Sequence, residues 1–194
     1  MSKGKLKHNH SESVNTMYQV SPSVNIYHQA LSFNNAAREL NKPDNSMQVP
    51  SLVCISFSIE LYLKCLQAER RYKYKNELID GGTSYNDIFD VTLLKGGHDL
   101  VKLFNSLPDP IKDKINTFYK SANLSVVHPK IIDALDLVKD VFVDLRYEYE
   151  KNTSCVAEST LYKLADFFRH FVETQLKEKQ ISGGHEIFYP FEKM

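Results

Sequence analysis

The stretch "SLVCISFSIELYLKCLQAE", Ser51 to Glu69, decides the fold. Leu52, Ile55, Ile59, Leu63 and Leu66 recur at helical spacing, and Val53, Phe57 and Leu61 form a second apolar line beside them. A helix apolar over so much of its circumference needs neighbours on most sides, so the segment predicts the central helix of a bundle. Ser51 is its expected N-cap. One polar line crosses the apolar surface, made of Ser56, Glu60, Lys64 and Gln67, all on one face. Glu60 and Lys64 are spaced to pair along the helix at a groove rim, and Glu60 is also placed to meet a cation from another helix.

Working outward, "SVNIYHQALSFNNAAREL" (residues 23–40) puts Ile26, Ala30, Phe33, Ala37 and Leu40 on one predicted helix face. Residues 41–50 interrupt it with prolines and turn formers. Beyond the central helix, a polar connection with glycine pairs at Gly81-Gly82 and Gly96-Gly97 shows no alternation of the kind strands require. Its length alone suggests a role, because long loops in compact domains are unusual. "HDLVKLFNSL" then predicts a short helix with Leu100, Leu103, Phe104 and Leu107 inward, and Asp109 and Pro110 suit the start of another. Residues 128–150 carry a continuous seam of Ile131, Leu135, Val138, Phe142, Leu145 and Tyr149. A last helix, about residues 155–179, carries Ala157, Leu161, Leu164, Phe168 and Phe171. The fold class expected is all-α, an antiparallel helical bundle of four to five main helices with short connecting helices.

At 194 residues the chain suits one domain with a single core. Residues 1–20 read as a flexible arm, 21–180 as the bundle and 181–194 as a docking tail containing Ile187, Phe188, Tyr189 and Phe191. Lys plus Arg equals Asp plus Glu at 24 each, so no global field draws the chain to nucleic acid, and any such binding must use a local patch. Cys54, Cys65 and Cys155 are widely spaced and form no ligand cluster, which points to reduced thiols in a cytoplasmic protein. No apolar run approaches the roughly 18 residues of a membrane span. The histidines make no zinc-helix pair, and no nucleophile elbow, Walker loop or dinucleotide fingerprint occurs; neither metal nor cofactor is expected.

Three places carry candidate chemistry. Arg146 flanks the seam of the penultimate helix with Glu150 one turn on; the two could pair along the helix, or Arg146 could reach into the groove toward Glu60, where an anion would compete for its guanidinium. "ERRYKYK" interleaves Arg70 and Arg71 with tyrosines, a composition that suits single-stranded nucleic acid and equally a solvated helix end. His98 and Asp99 could orient one another, or simply begin a helix.

"SIELYLKCL", "GGHDLVKLFNSL" and "LRYEYE", in that order, give the chain a resemblance to the HEPN superfamily of small α-helical domains over roughly residues 24–179. The resemblance implies a bundle that pairs into a homodimer across the face bearing Arg146, in a prokaryotic defence, toxin-antitoxin or RNA-processing system. HEPN ribonucleases cut RNA without a metal, using an arginine followed after roughly four to six residues by a histidine that moves protons. Arg146 matches the arginine, but Lys151, Asn152 and Thr153 stand where the histidine is needed. Lysine stabilises charge yet is a poor base at neutral pH, its ordinary pKa being about 10.4. The expected catalytic set is therefore Arg146, Glu150 and Lys151, with weak ribonuclease activity left open. Glu60, Lys64, Arg70, Arg71, Tyr147 and Tyr149 are the expected contacts for RNA or a nucleotide. The alternative is a non-catalytic module that binds a protein partner.

Overall fold

Helix α2 (Gln48–Gln67) runs through the middle of the molecule, and its predicted seam is buried throughout: Leu52, Ile55, Ile59, Leu63 and Leu66 are at most 5% exposed. The structure, a computed structural model, describes residues 16–20, 22–43, 47–73, 77–79, 82–84, 90–93, 97–122, 128–146 and 157–182. Around α2 are packed α1 (Val24–Leu40), α3 (Leu100–Asn105), α6 (Val141–Arg146) and α7 (Glu158–Ser182). The helices α4 (Asp109–Ser121) and α5 (Ile131–Val138) complete the described helical set by packing on α7 and α3. The fold is all-α in its body, as the apolar periodicity predicts. Among the described residues α2 is the helix long and apolar enough to cross a membrane, and 67% of that stretch is buried inside the protein.

Ser51 does not cap α2. The helix begins three residues earlier, with the Ser51 N–H donating to the Met47 carbonyl at 3.0 Å, and Pro50 falls in the first turn, where its missing N–H costs nothing. The Ser51 hydroxyl instead donates to the Ala37 carbonyl at 2.7 Å and meets the Tyr162 hydroxyl, tying α1, α2 and α7 together. At the other end of the same pair the Ser23 N–H donates to the Cys65 carbonyl at 3.1 Å, so α1 and α2 are antiparallel.

The buried face of α1 is rotated from the expected one. Tyr27, Ala30, Asn34 and Ala37 face inward, while Phe33 is 37% exposed. Two alanines let α1 lie close to α2, and buried Asn34 is satisfied: its amide donates to the Tyr62 hydroxyl and its carbonyl oxygen accepts from Arg38. Tyr27 donates to Glu173 of α7 at 2.8 Å. Burial is the main reason that the Tyr62 hydroxyl is pushed up to about 12.

Two further expectations change. The seam expected to run unbroken from residue 131 is carried by two helices, α5 and α6, parted by a turn at Lys139-Asp140. Ile131, Leu135, Val138, Phe142 and Leu145 nevertheless all stay buried, because the turn preserves the facing of the residues on either side. The expected strandless connection contains β2 (Ala68–Lys73), β3 (Glu77–Ile79), β4 (Gly82–Ser84) and β5 (Asp90–Leu93). Inside the expected N-terminal arm lies β1 (Thr16–Val20). All pairings are antiparallel, in the order β1-β2-β5 with β3-β4 as a separate hairpin. "TMYQV" and "DVTL" are rich in β-branched and aromatic residues, but runs of four or five amid charged sequence give too short an alternation to detect. The expected tail, from residue 183 on, lies outside the described residues, as do residues 1–15 of the arm.

Leu63 has no exposed surface at the centre of this arrangement. Leu63→Ala is expected to cost about 2–5 kcal/mol, lowering the urea midpoint with an unchanged slope.

Candidate functional site

The polar line of α2 is buried. Ser56, Glu60 and Gln67 are each at most 1% exposed, although their sequence spacing suggested a groove rim. The Ser56 hydroxyl donates back to the Leu52 carbonyl at 2.6 Å, and the Gln67 amide donates to the Leu103 carbonyl of α3 at 2.7 Å. Both are therefore neutral groups with nearby acceptors. Glu60 is a different case, because an isolated carboxylate taken fully out of water is strongly unfavourable.

Two nitrogens stabilise it. Lys64, one turn on and 14% exposed, donates from Nζ to Oε1 at 2.6 Å, and Nδ1 of His98 lies 2.9 Å from Oε2. The pair along the helix forms; in place of the expected cation from another helix, the second partner is a histidine from the turn before α3. With Lys64 on one oxygen, the carboxylate is the acceptor on the other, so Nδ1 is the protonated imidazole nitrogen and Nε2 is left for other work.

Local chain geometry brings His98 there. Gly97 has φ +115°, a conformation that side-chain-bearing residues rarely adopt, and an added Cβ would meet no atom within 4 Å. Asp99 then caps α3: its Oδ1 accepts from the Lys102 N–H at 2.9 Å. That N–H first, and the Lys102 side chain second, hold the Asp99 carboxyl below its usual range. His98 and Asp99 thus have separate partners and do not orient one another. Gly97 and the Asp99 cap aim the residue between them at α2.

An aromatic run supports the imidazole. Its ring lies 5.2 Å from Phe142 of α6; Phe142 stacks on Phe57 of α2 at 5.0 Å, and Phe57 meets Phe33 of α1 edge-on at 4.7 Å. Phe142 is one turn before Arg146, at which α6 ends. The helix bearing the sequence-predicted arginine therefore packs directly against the helix bearing Glu60 and Lys64. Arg70 and Arg71 lie on β2, opposite Gln19 and Tyr18 of β1. Tyr147, Tyr149, Glu150 and Lys151 lie outside the described residues. The sequence paired His98 with Asp99; its partner in the structure is Glu60. The available signal for His98 was its position directly after a glycine pair and before a helix start.

A hollow of about 670 Å³ opens where α3, α4 and α5 meet, with Tyr119 and Ile131 inside and Lys120 and Lys130 at its edge. None of Glu60, Lys64 or His98 lines it. Among the described residues no group of three or more His, Cys, Asp or Glu side chains is arranged to hold a metal ion. No protein-family model matches the chain, and neither does any curated protein or solved structure compared with it.

Two stability measurements check this arrangement. Glu60→Ala leaves the Lys64 ammonium without its carboxylate and unties His98, at an expected cost of about 3–5 kcal/mol in urea unfolding. The double variant Glu60→Leu/Lys64→Met, which removes both charges and keeps the volume, recovers most of that loss. Gly97→Ala has no clash to add, so its expected cost of about 1–3 kcal/mol is backbone strain alone.

Proposed function

We propose that the chain is a HEPN-like cytoplasmic protein of a prokaryotic defence, toxin-antitoxin or RNA-processing system, binding RNA or a nucleotide at the groove around Arg146 as a homodimer. The observation that carries this reading is the packing of α6, the helix ending at Arg146, on α2, the helix that carries the buried Glu60 and its partner Lys64, through Phe142 stacked on Phe57. A buried carboxylate with two nitrogen partners is a costly arrangement for a protein that needs only a core, since apolar residues of the same volume stabilise as well or better. Its place beside the motif helix supports a polar groove made for a ligand. A guanidinium there would grip phosphate oxygens through two parallel hydrogen bonds. Lys64 and the aromatic run would line the groove, and cleavage of RNA would be weak and independent of metal ions.

A second reading, a non-catalytic module that docks a protein partner, is favoured by apolar exposure near the same helix: Val143 on α6 is 38% exposed and Phe33 on α1 37%.

Incubation of labelled total RNA with wild type and Arg146→Ala, with and without chelator, separates the two. Arg146→Ala is expected to retain helix content by circular dichroism while losing about tenfold in RNA retention, as befits one charge-assisted contact. Chelator is expected to change nothing. Intact and unbound RNA with both proteins would instead support the protein-docking module, and wholesale unfolding of the variant would make Arg146 a structural ion-pair residue.

A further inference from the structure

His98 combines two properties that a purely structural latch does not need. Its side chain is 48% exposed, yet it is held by a carboxylate that is fully buried. Burying Glu60 to hold a half-exposed ring adds little apolar burial and a good deal of orientation. The hydrogen bond to Glu60 fixes which nitrogen carries the proton, and the Phe142 face at 5.2 Å limits rotation of the ring. What remains is one nitrogen, Nε2, on an imidazole whose tautomer and plane are both set.

The charges around it favour an anion. Glu60 and Lys64 form a pair of opposite sign, so protonation of His98 gives the three-residue cluster a net positive charge. Of the acidic groups nearby, Asp99 is bound by the Lys102 N–H and ammonium and Asp136 by Lys139 at 2.9 Å, while Asp140 stands exposed at the turn before α6. From Phe142, the residue against which the imidazole packs, α6 continues for one more turn to Arg146, a rise of about 6 Å.

We infer that His98 is a phosphate-contacting group of this groove: as the imidazolium, with Nδ1–H on Glu60, it donates its Nε2–H to a phosphate oxygen, and Glu60 is the positioning residue that aims it. The ligand class is a phosphate ester, supplied by an RNA strand or by a free nucleotide. The inference rests on the reading of a phosphate-bearing ligand at the Arg146 groove, and it adds a residue from a different part of the chain to that site.

Two amide substitutions separate ligand contact from structure. In His98→Asn the side-chain amide can replace Nδ1 toward Glu60 but has no atom where Nε2 lies. His98→Gln has the opposite arrangement, with a donor near the Nε2 position and none near Nδ1. Binding is measured with an RNA octamer of mixed sequence, with AMP and with inorganic phosphate, alongside thermal unfolding and the imidazole resonances seen by NMR. The His98 signal is identified by its loss in His98→Asn.

The expected result is a His98 resonance that shifts on adding phosphate ligand, with affinity reduced about tenfold in His98→Asn at a nearly unchanged melting temperature. His98→Gln is expected to recover part of the affinity despite a lower melting temperature. Glu60→Gln should weaken binding in wild type and add little in the His98→Asn background, the non-additivity of two residues acting as one.

Octamer binding that is unaffected by His98→Asn, with a silent His98 resonance, would overturn the role of His98 while leaving the RNA groove standing. AMP or phosphate shifting His98 without any octamer binding would support the phosphate contact and assign its source to a free nucleotide. A His98 signal unmoved by every probe would overturn the inference, whatever the protein binds elsewhere.

Discussion

The carboxylate of Glu60 constrains more of this molecule than any other single group. It sits in a helix otherwise made to be surrounded by hydrocarbon, and it is tolerable there only with both oxygens engaged. Lys64 is available from the same helix at the next turn. The other partner, His98, must arrive from elsewhere, which requires the chain to return to α2 after the stranded excursion, reverse at Gly97 and begin α3 at once. The requirement reaches α6 as well, since Phe142 forms the wall against which the imidazole stands. One buried charge therefore ties together the central helix, the start of α3 and the helix that ends at Arg146.

Much of the scaffold was legible because burial repeats along a helix. The seams of α2, α3 and α7, and the start of α4 at Asp109-Pro110, follow directly from spacing and from the chemistry of helix beginnings. The inward face of α1 was missed because a reading by hydrophobicity prefers Phe33 to Asn34. Close packing of Ala30 and Ala37 turned Asn34 inward, where Tyr62 and Arg38 satisfy it. The turn between α5 and α6 was invisible for the opposite reason: a break that keeps the buried side aligned leaves the apolar pattern intact.

The site was half legible. Periodicity shows that Ser56, Glu60, Lys64 and Gln67 share a face, but it says nothing of what covers that face. Covering depends on contacts between distant parts of the chain, and the decisive one joins residues 38 apart. His98 also stood beside Asp99, whose helix-capping role is a sufficient local explanation for a polar pair and drew attention from its neighbour. The expected cation from another helix turned out to be an imidazole from the turn before a helix, a class of partner that helix-face reasoning does not search.

The excursion between α2 and α3 is fastened at both of its ends. Gln67, the last residue of α2, is bonded to the Leu103 carbonyl, and His98, at the point of return, is bonded to Glu60. The entropic cost of closing such a loop grows only with the logarithm of its length, so residues can be gained or lost there at small expense to the folded helices. An engineer could insert a reporter or a binding peptide there while the Glu60 anchorage keeps the point of re-entry in register.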